Sequence, residues 1–298
     1  MRVGIDFGGH TLTAARIAMG KGGALPSIDR LVERRTPDGR RVADIISAMA
    51  EMTSELAENQ RIEGVGVAIP GMLDSARRYS PRMANFPEEW DGLDIPDALS
   101  KALASRELYI PVKIENDANC YALGEGAAGA AVGLADYVVF TMGTGIGCGI
   151  VLGGRILTGA HGMAAEGGHI VVDGGAPCGC GGMGHAETLA ATDGTVKRAR
   201  AAGILGEFKE IWAMRGDQAA DMVLGVTIDG MGRAVATITH LLDPEAIIIG
   251  GGMSRAQGIC GAICEAAMPY LARPYRSILD LRVSKLGNDA ALYGAASV

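Results

Sequence analysis

Apolar positions along the chain fall into short runs typical of strands and into longer stretches with helical spacing. The stretch at 42–59 is of the second kind, because Ile45, Met49 and Met52 recur every three or four residues. In the first half, the pattern predicts strands at 2–7, 12–19, 28–33, 62–69 and 112–115 and helices at 42–59 and 93–103. The predicted order of this half is therefore β-β-β-α-β-α-β.

The second half of the chain repeats this plan. The pattern predicts strands at 137–142, 149–152, 246–249 and 281–285 and helices at 117–126, 221–242, 258–271 and 288–298. Because strands alternate with helices in both halves, we expect two α/β domains. With a hinge near 115–118, the first domain comprises 1–117 plus 288–298, and the second comprises 118–287 and carries a cysteine-containing loop.

Composition narrows the class of protein. A length of 298 residues is enough for two domains of roughly 150 residues each. The formal net charge of -7 argues against a nucleic-acid-binding protein, which usually carries a basic face. A local basic stretch is interpreted as a solvated surface segment; its members are Arg30, Arg34, Arg35, Arg40 and Arg41. No apolar run approaches the roughly 18 residues that span a bilayer, and no secretory signal is visible, so we expect a cytoplasmic protein without a membrane partner.

Glycine-rich segments interrupt two pairs of predicted strands. Gly8 and Gly9 separate the first two strands, and Gly143, Gly145 and Gly147 follow the strand that opens the second half. Glycine accepts positive φ and leaves its amide open to a ligand, and exposed N–H groups in such a turn form a nest for anions. One nest in each half predicts a polyphosphate held between two similar domains. The chain has neither a P-loop nor a dinucleotide-binding glycine motif.

Two acidic positions accompany these turns, and each has two interpretations. Asp6, at the end of the first strand, either holds Mg²⁺ or one of its waters, or caps the turn. Asn116 and Asp117 begin a helix directly after a strand, where a helix cap explains both residues. The functional interpretation is a carboxylate that takes the proton of a substrate hydroxyl during phosphoryl transfer.

A third cluster combines nitrogen and sulfur ligands. His169, Cys178, Cys180 and His185 lie within 17 residues of one another in a glycine-rich segment. Two cysteines with two histidines are the ligand set of a structural zinc site, although the spacing differs from that of a zinc finger. The alternative is a bare glycine-rich loop. Since the segment has little apolar material, a metal would be needed to order it.

Taken together, these segments resemble the ROK family (repressors, open reading frames and sugar kinases), within the actin-like, hexokinase-type ATPase superfamily. The resemblance runs almost end to end and rests on seven motifs. They are Asp6–Gly9, 69–71, 116–119, 143–147, 166–169, 178–187 and 250–252. It implies an α/β fold of two actin-like (ribonuclease H-like) ATPase domains with an interdomain cleft. Family members commonly use ATP and Mg²⁺, and many form homodimers.

The resemblance also implies a role for individual residues. Asp117 would be the general base that takes the proton of the sugar 6-hydroxyl. The implied sugar-binding residues are Asn85, Asn116, Asp117, Glu166, His169 and Glu187. The implied nucleotide-binding residues are Asp6, Gly8, Gly9, His10, Thr11, Gly143, Thr144, Gly145, Gly251 and Gly252. The implied ligands of a structural zinc are His169, Cys178, Cys180 and His185.

Two departures from the family pattern affect these expectations. His10 and Thr11 stand where the family has Thr-Lys, which removes a cation near the phosphates and alters the expected affinity for nucleotide. His185 stands where the family has the third zinc cysteine. Histidine is an acceptable zinc ligand, so we expect the site to survive as Cys2His2, the alternative being loss of zinc.

The function predicted from the sequence is ATP-dependent phosphorylation of the 6-hydroxyl of a hexose, with glucose as the default. N-acetylmannosamine, allose and other hexoses remain alternatives, because His161 stands where many glucose-specific relatives carry asparagine. We expect the loops 85–90 and 159–165 to select the sugar. Two non-enzymatic alternatives are a sugar-responsive repressor, which would need an additional amino-terminal helix-turn-helix, and a non-catalytic sugar-sensing regulatory protein.

Overall fold

The computed structural model describes residues 1–20, 23–83, 86–173 and 175–298. Its strands are β1 (Arg2–Phe7), β2 (Thr11–Ala18), β3 (Ser27–Arg35), β4 (Val65–Ile69), β5 (Val112–Asn116), β6 (Tyr137–Met142), β7 (Ile146–Leu152), β8 (Arg155–Ile156), β9 (Ala246–Gly250) and β10 (Leu281–Val283). Its helices are α1 (Val42–Ala57), α2 (Ile95–Ala104), α3 (Asp117–Ala128), α4 (Ala186–Ala190), α5 (Thr192–Ala201), α6 (Phe208–Ala213), α7 (Gln218–Leu242), α8 (Ile259–Ala267) and α9 (Ala290–Ser297). No helix in the described ranges combines the length and the apolar composition that crossing a bilayer requires.

The chain divides into two compact units. Unit 1 comprises Met1–Gly133, Ile156–Ala165 and Asn288–Val298, and unit 2 comprises Leu134–Arg155 and Glu166–Gly287. The boundary predicted after residue 117 differs from this division, because α3 stays with unit 1, where it packs against α9. The segment Ile156–Ala165, which the sequence assigned to the second domain, also belongs to unit 1.

Unit 1 is built on a five-stranded sheet of order β3-β2-β1-β4-β5. Strands β1, β2 and β3 pair antiparallel, whereas β4 and β5 run parallel to β1. Because side chains alternate along a strand, Val3, Ile5 and Phe7 enter the core formed with α1 and α2. Gly4 and Asp6 face the other side, where α9 packs so closely on β1 that a Cβ on Gly4 would clash with the backbone of Leu292.

Unit 2 contains a second five-stranded sheet, of order β10-β9-β6-β7-β8. Strands β6 and β7 form an antiparallel hairpin, and β9 lies parallel to β6 on its other side. The long helix α7 begins directly after its cap residue Asp217, whose side chain accepts the N–H groups of Ala219 and Ala220. It ends where Asp243 takes a left-handed conformation with φ of 45°. Both predicted glycine-rich turns therefore join antiparallel strands, one in each unit.

Candidate functional site

The turn between β1 and β2 is held by hydrogen bonds to three of its carbonyl groups, those of Gly8, His10 and Thr11. The N–H of Gly8 donates to the Thr11 carbonyl at 3.0 Å. Thr36 fastens the turn, since its N–H donates to the His10 carbonyl at 2.9 Å and its hydroxyl to the Gly8 carbonyl at 2.8 Å. The N–H groups of Gly9 and His10 have no hydrogen-bond partner among the residues that the structure describes. Such a turn is suited to an anion.

In the two hairpins, Gly8 and Gly145 are required by close approach of other atoms rather than by positive φ. None of Gly8, Gly9, Gly143 and Gly145 has positive φ, so that part of the sequence-based reasoning does not apply to them. A Cβ on Gly8 would lie 2.7 Å from the Thr11 carbonyl oxygen. The glycine pattern therefore predicted both turns correctly, and in each turn one glycine, Gly8 or Gly145, leaves no room for a side chain.

Asp6 and Asp117 lie at the same edge of the unit 1 sheet, because β1, β4 and β5 run parallel and their carboxyl ends meet there. Asp117 is exposed at the start of α3, and its Oδ1 accepts the Ala118 N–H at 2.8 Å. Asp6 is partly buried, and this burial, assisted by the charge of Asp117, raises its pKa to about 7. An acidic pair with one carboxyl poised near neutrality is characteristic of functional sites.

Asn116 is the cap of α3, as one interpretation of the sequence predicted. Its Oδ1 accepts the N–H of Asn119 at 3.0 Å. Its Nδ2 donates to the Gly71 carbonyl at 3.1 Å and to Asp117 Oδ1 at 3.0 Å. The cap therefore also orients the carboxylate of Asp117, so the capping interpretation is confirmed and the functional interpretation stays a prediction.

Behind this cap lies a buried ion pair that the sequence reasoning missed. Glu115 Oε1 accepts the N–H of Asn116 at 2.8 Å and the side-chain amide of Asn119 at 2.9 Å. Its other oxygen lies 3.0 Å from Nε of Arg77, and Nη1 of Arg77 donates to the Gly162 carbonyl at 2.7 Å. The pair thus joins the start of α3 to the loop 159–165. The only sequence signal was an acidic residue directly before Asn116.

In unit 2, the turn between β6 and β7 is held by groups from several segments. The N–H of Gly143 donates to the Gly145 carbonyl at 2.9 Å, and the Gly143 carbonyl accepts the N–H of Thr192, the first residue of α5, at 2.9 Å. Gly251 has φ of 78° and lies so close to the end of β6 that a Cβ there would overlap the Met142 carbonyl. The structure therefore brings together three of the predicted nucleotide-binding glycines; Gly252 follows directly after Gly251.

A cavity of about 510 Å³ adjoins this second turn within unit 2. Thr144 and Glu187 line it, together with the cationic side chains of Lys197 and Arg198 on α5. Within the described part of the chain, no carboxylate forms an ion pair with Arg198, whose guanidinium donates instead to the Thr227 hydroxyl at 2.8 Å. Lys197 and Arg198 were not among the predicted site residues, because α5 itself was not predicted.

Glu187 connects this turn to the predicted sugar and metal residues. Its Oε2 accepts the N–H of Ile146 at 2.9 Å, and it lies 2.5 Å from the position that a Cβ would take on Gly145. Its Oε1 lies 4.0 Å from Nε2 of His169. The other ring nitrogen of His169, Nδ1, lies 3.0 Å from Glu166 Oε2. Three predicted sugar-binding residues are therefore grouped in unit 2.

The four predicted zinc ligands converge. One ligand atom from each of His169, Cys178, Cys180 and His185 lies within 4.8 Å of the other three. Tetrahedral zinc with Zn–S of about 2.3 Å and Zn–N of about 2.0 Å needs ligand atoms roughly 3.3–3.8 Å apart, so only small shifts are required. The Sγ of Cys180 and Nδ1 of His185 are already 3.2 Å apart. The donor set fits a divalent metal of the zinc type.

The remaining predicted residues are distributed as follows. His10 is exposed in the first turn, and Thr11 is the first residue of β2. Asn85 lies outside the described residues, so its predicted contact with sugar stays a prediction. The structure thus forms one group of candidate residues in unit 1 and a second group in unit 2.

Comparisons with known proteins show the family to which the chain belongs. The family model described as the ROK family matches residues 2–298. The sequence is 33% identical to a glucokinase of Thermotoga maritima over 99% of this chain and 96% of the relative. A solved ROK hexokinase from Thermus thermophilus superposes with a TM-score of 0.84 and 31% identity over 99% of this chain and 96% of its own. A ROK family glucokinase from Streptomyces griseus was solved in complex with glucose and AMPPNP. It superposes with a TM-score of 0.82 and 29% identity over 99% of this chain and 98% of its own.

Proposed function

The chain belongs to the ROK family, and from that premise we propose that it is an ATP-dependent sugar kinase that phosphorylates the 6-hydroxyl of a hexose, with glucose as the expected substrate. The full-length likeness to glucokinases supports the reaction, and the relative solved with glucose and AMPPNP supports the pair of substrates. The observation that carries the proposal is the exposed, doubly hydrogen-bonded carboxylate of Asp117 in the same unit as an anion-binding turn.

We propose that Asp117 is the general base. Its Oδ1 is fixed by the N–H of Ala118 and the amide of Asn116, and its side chain is accessible to a substrate. As the oxygen of the 6-hydroxyl bonds to the γ-phosphorus and the bond to ADP breaks, the hydroxyl proton passes to this carboxylate. Phosphoryl transfer depends mainly on positioning and charge stabilisation, so the fixed orientation matters as much as basicity.

The sugar hydroxyls are proposed to bind to amides and carboxylates, which supply both donors and acceptors. The proposed residues are Asn85, Asn116, Asp117, Glu166, His169 and Glu187. Of these, His169 has one ring nitrogen beside Glu166 and the other beside Glu187 and the cysteine-containing cluster. This arrangement favours His169 as a metal ligand, with Glu166 as the group that orients its ring.

The nucleotide is proposed to bind through the two hairpin turns. In unit 1 the amides at Gly9 and His10 would supply donors; in unit 2 the segment 143–145 would do so through Thr144 and Gly145, and Lys197 would supply charge. Asp6 is proposed to hold Mg²⁺ or one of its waters, because a hard cation prefers a carboxylate. Bound Mg²⁺ would neutralise charge on the phosphates during transfer.

The cluster of His169, Cys178, Cys180 and His185 is proposed to hold a structural zinc. The four donors fill a tetrahedral shell, which leaves no open position for catalysis. Glu187 Oε1 lies 3.7 Å from the Cys178 sulfur, and Glu187 Oε2 accepts the N–H of Ile146. The side chain of Glu187 therefore connects the segment that carries the zinc ligands to the turn between β6 and β7.

A panel of sugars tests the proposed function. ADP formation in a coupled assay with glucose, mannose, N-acetylmannosamine, allose and fructose should give the highest kcat/KM with glucose. A higher value with N-acetylmannosamine would transfer the assignment to that substrate, and no ADP formation with any hexose would favour a non-catalytic sugar-sensing protein. Sedimentation of the same preparation tests the predicted homodimer.

Replacement of Gly145 by alanine should raise the KM for ATP by about tenfold and leave the KM for glucose within about threefold. The added methyl group would lie 2.5 Å from Glu187 Oε2, so the carboxylate must move and release the Ile146 amide that shapes the turn. Steady-state kinetics with each substrate varied separately measures both constants. The same substitution at Gly225, where no atom lies within 4 Å of the added group, is the matched control. An unchanged KM for ATP in Gly145→Ala would remove this turn from the nucleotide site.

Replacement of Asp6 by asparagine should stabilise the protein at high pH. Since burial raises the pKa of Asp6 from 3.8 to about 7, the folded state keeps a proton that the unfolded chain loses, and the contribution of Asp6 to the free energy of unfolding falls between about pH 4 and 7. Asparagine does not ionise, so it has no cost of burying a charge. The free energy of unfolding of Asp6→Asn, relative to that of wild type, should therefore grow by about 2 kcal/mol from pH 5 to pH 8.

Urea unfolding without Mg²⁺ at both pH values measures this gain. The exposed carboxylate of Asp38 provides the control Asp38→Asn, whose difference from wild type should not grow with pH. A pH-independent difference for Asp6→Asn would show that Asp6 is not held in a desolvated site. Loss of activity in the same variant, despite its greater stability, is expected if Asp6 serves the metal–nucleotide complex.

A further inference from the structure

A guanidinium group lies beside the first glycine turn, although the turn itself contains no lysine or arginine. Nη2 and Cζ of Arg40 lie 3.8 and 3.9 Å from the position that a Cβ would take on Gly9. The same guanidinium lies over the ring of Phe86, with Cζ 5.3 Å from the ring centroid. The sequence placed Arg40 in a solvated basic stretch, but its side chain is partly buried and directed to this turn.

Other arginines of that basic stretch serve a different purpose. Arg30 and Arg34 form ion pairs with Glu55 of α1, at 2.8 and 3.4 Å, and Arg35 pairs with Asp38 at 3.1 Å. The Arg35 pair is exposed and the two pairs with Glu55 are partly exposed, so each contributes little to stability and leaves its arginine occupied at the surface of α1 or of the loop after β3. Arg40 is distinguished by its position against Gly9 and an aromatic ring.

The backbone of Arg40 is held in place before any ligand binds. Its φ of 52° lies in the left-handed region, which residues other than glycine rarely adopt and which is enriched at functional sites. Its N–H donates to the Pro37 carbonyl at 3.1 Å, and its carbonyl accepts Nε1 of Trp90 at 2.8 Å. Trp90 is completely buried and packs with Phe7, the last residue of β1, at a ring distance of 5.0 Å. The arginine and the turn are thus fixed to the same aromatic core.

The turn beside Arg40 is arranged for an anion. Thr36 engages the carbonyls of Gly8 and His10, and the N–H groups of Gly9 and His10 lack partners within the described ranges. Two unpaired N–H groups and an adjacent guanidinium provide the donors and the charge that phosphate oxygens prefer. An arginine fixed over an aromatic ring loses little conformational freedom when it binds such a group.

We propose that Arg40 binds the phosphate tail of ATP at the first hairpin and supplies the positive charge that His10 and Thr11 do not. The inference rests on the proposed kinase function, and it names a nucleotide-binding residue that the sequence motifs did not indicate. It also explains how the turn can serve a polyphosphate without a cation of its own.

The variant Arg40→Met tests this, because methionine keeps the apolar contact with Phe86 and removes the charge. We expect its Kd for AMPPNP with Mg²⁺, measured by calorimetry, and its KM for ATP to rise at least about tenfold, with the KM for hexose within about threefold. The neighbouring exposed Arg41 gives the matched control Arg41→Met, with all constants within about twofold of wild type. Arg40→Lys should fall between wild type and Arg40→Met, since a point charge replaces a bidentate group.

A second experiment restores the charge from the other side of the turn. Thr11→Lys in the Arg40→Met background should recover most of the lost affinity for AMPPNP, because residue 11 begins β2 directly after the turn. Recovery would show that the lost function was charge, which a merely structural role of Arg40 does not predict. Added salt should weaken AMPPNP binding more steeply in wild type than in Arg40→Met.

Three results would overturn the inference. They are an affinity for AMPPNP within threefold of wild type in folded Arg40→Met, a rise in the KM for hexose alone, and no recovery with Thr11→Lys. If Arg40→Met fails to unfold cooperatively in urea, Arg40→Lys carries the same comparison. Failure of wild type to phosphorylate any hexose would refute the proposed function, and the calorimetric arm would still decide whether Arg40 binds the nucleotide.

Discussion

Replacement of Asp117 by asparagine should lower kcat for hexose phosphorylation by about a thousandfold, with the KM for ATP within about threefold of wild type. Asparagine has nearly the same shape, and its Oδ1 can still accept the N–H of Ala118 and the amide of Asn116. The variant therefore keeps the cap of α3 and loses only the ability to take a proton. ADP release in a coupled assay under saturating substrates measures the change.

Asp97 provides the matched control for this variant. It lies in the first turn of α2, in the same unit, and its carboxylate pairs with Lys101 at 2.7 Å. Asp97→Asn should keep kcat within about twofold, because an exposed ion pair of this kind contributes little. If Asp117→Asn retained more than a tenth of the wild-type kcat, the assignment of Asp117 as general base would be wrong.

Replacement of Cys178 by serine should release the proposed zinc and destabilise its loop. Protein purified without chelator should contain about one zinc per chain, and Cys178→Ser less than about 0.2, because structural sites bind zinc with roughly 10–16 kcal/mol that is coupled to folding. We also expect a fall in kcat/KM, since Glu187 lies beside the Cys178 sulfur and holds the second turn. Elemental analysis and thermal unfolding measure the two effects.

Two further variants separate the metal from the cysteine. Cys264→Ser changes a thiol on α8, outside the cluster, and should keep the full zinc content. His185→Cys should retain the metal, because either residue completes a tetrahedral set, whereas His185→Ala should lose most of it. Wild-type protein that contains no zinc under these conditions would contradict the Cys2His2 proposal.

The sequence predicted the sheets well, because buried strands carry their signal locally. The strands Arg2–Phe7 and Tyr137–Met142 have the predicted bounds, and the first half has the predicted order of elements. Helices α4, α5 and α6 were missed, since they are short and lack a long periodic apolar face. The domain boundary was placed before α3 because the close contact of Gly124 with Ala290, far along the chain, has no signature in local spacing.

The candidate site was predictable where its residues are close in sequence. The four metal ligands share one segment, and Asn116 and Asp117 follow a strand directly, so their grouping could be inferred. The partners that hold them could not be inferred in this way. Arg77 reaches Glu115 from 38 positions away, and only the folded chain brings the two together.

Helix α9 has a consequence for how the protein is made. It covers one face of β1 and β4 and packs against α3, so closely that Gly4, Gly66 and Gly124 have no room for a side chain. A ribosome delivers the segment 290–297 only after the whole of unit 2, so the nascent amino-terminal unit waits with this face uncovered. We therefore expect the nascent chain to be inactive, and to be able to bind chaperones through this uncovered face, until the segment 290–297 has been translated.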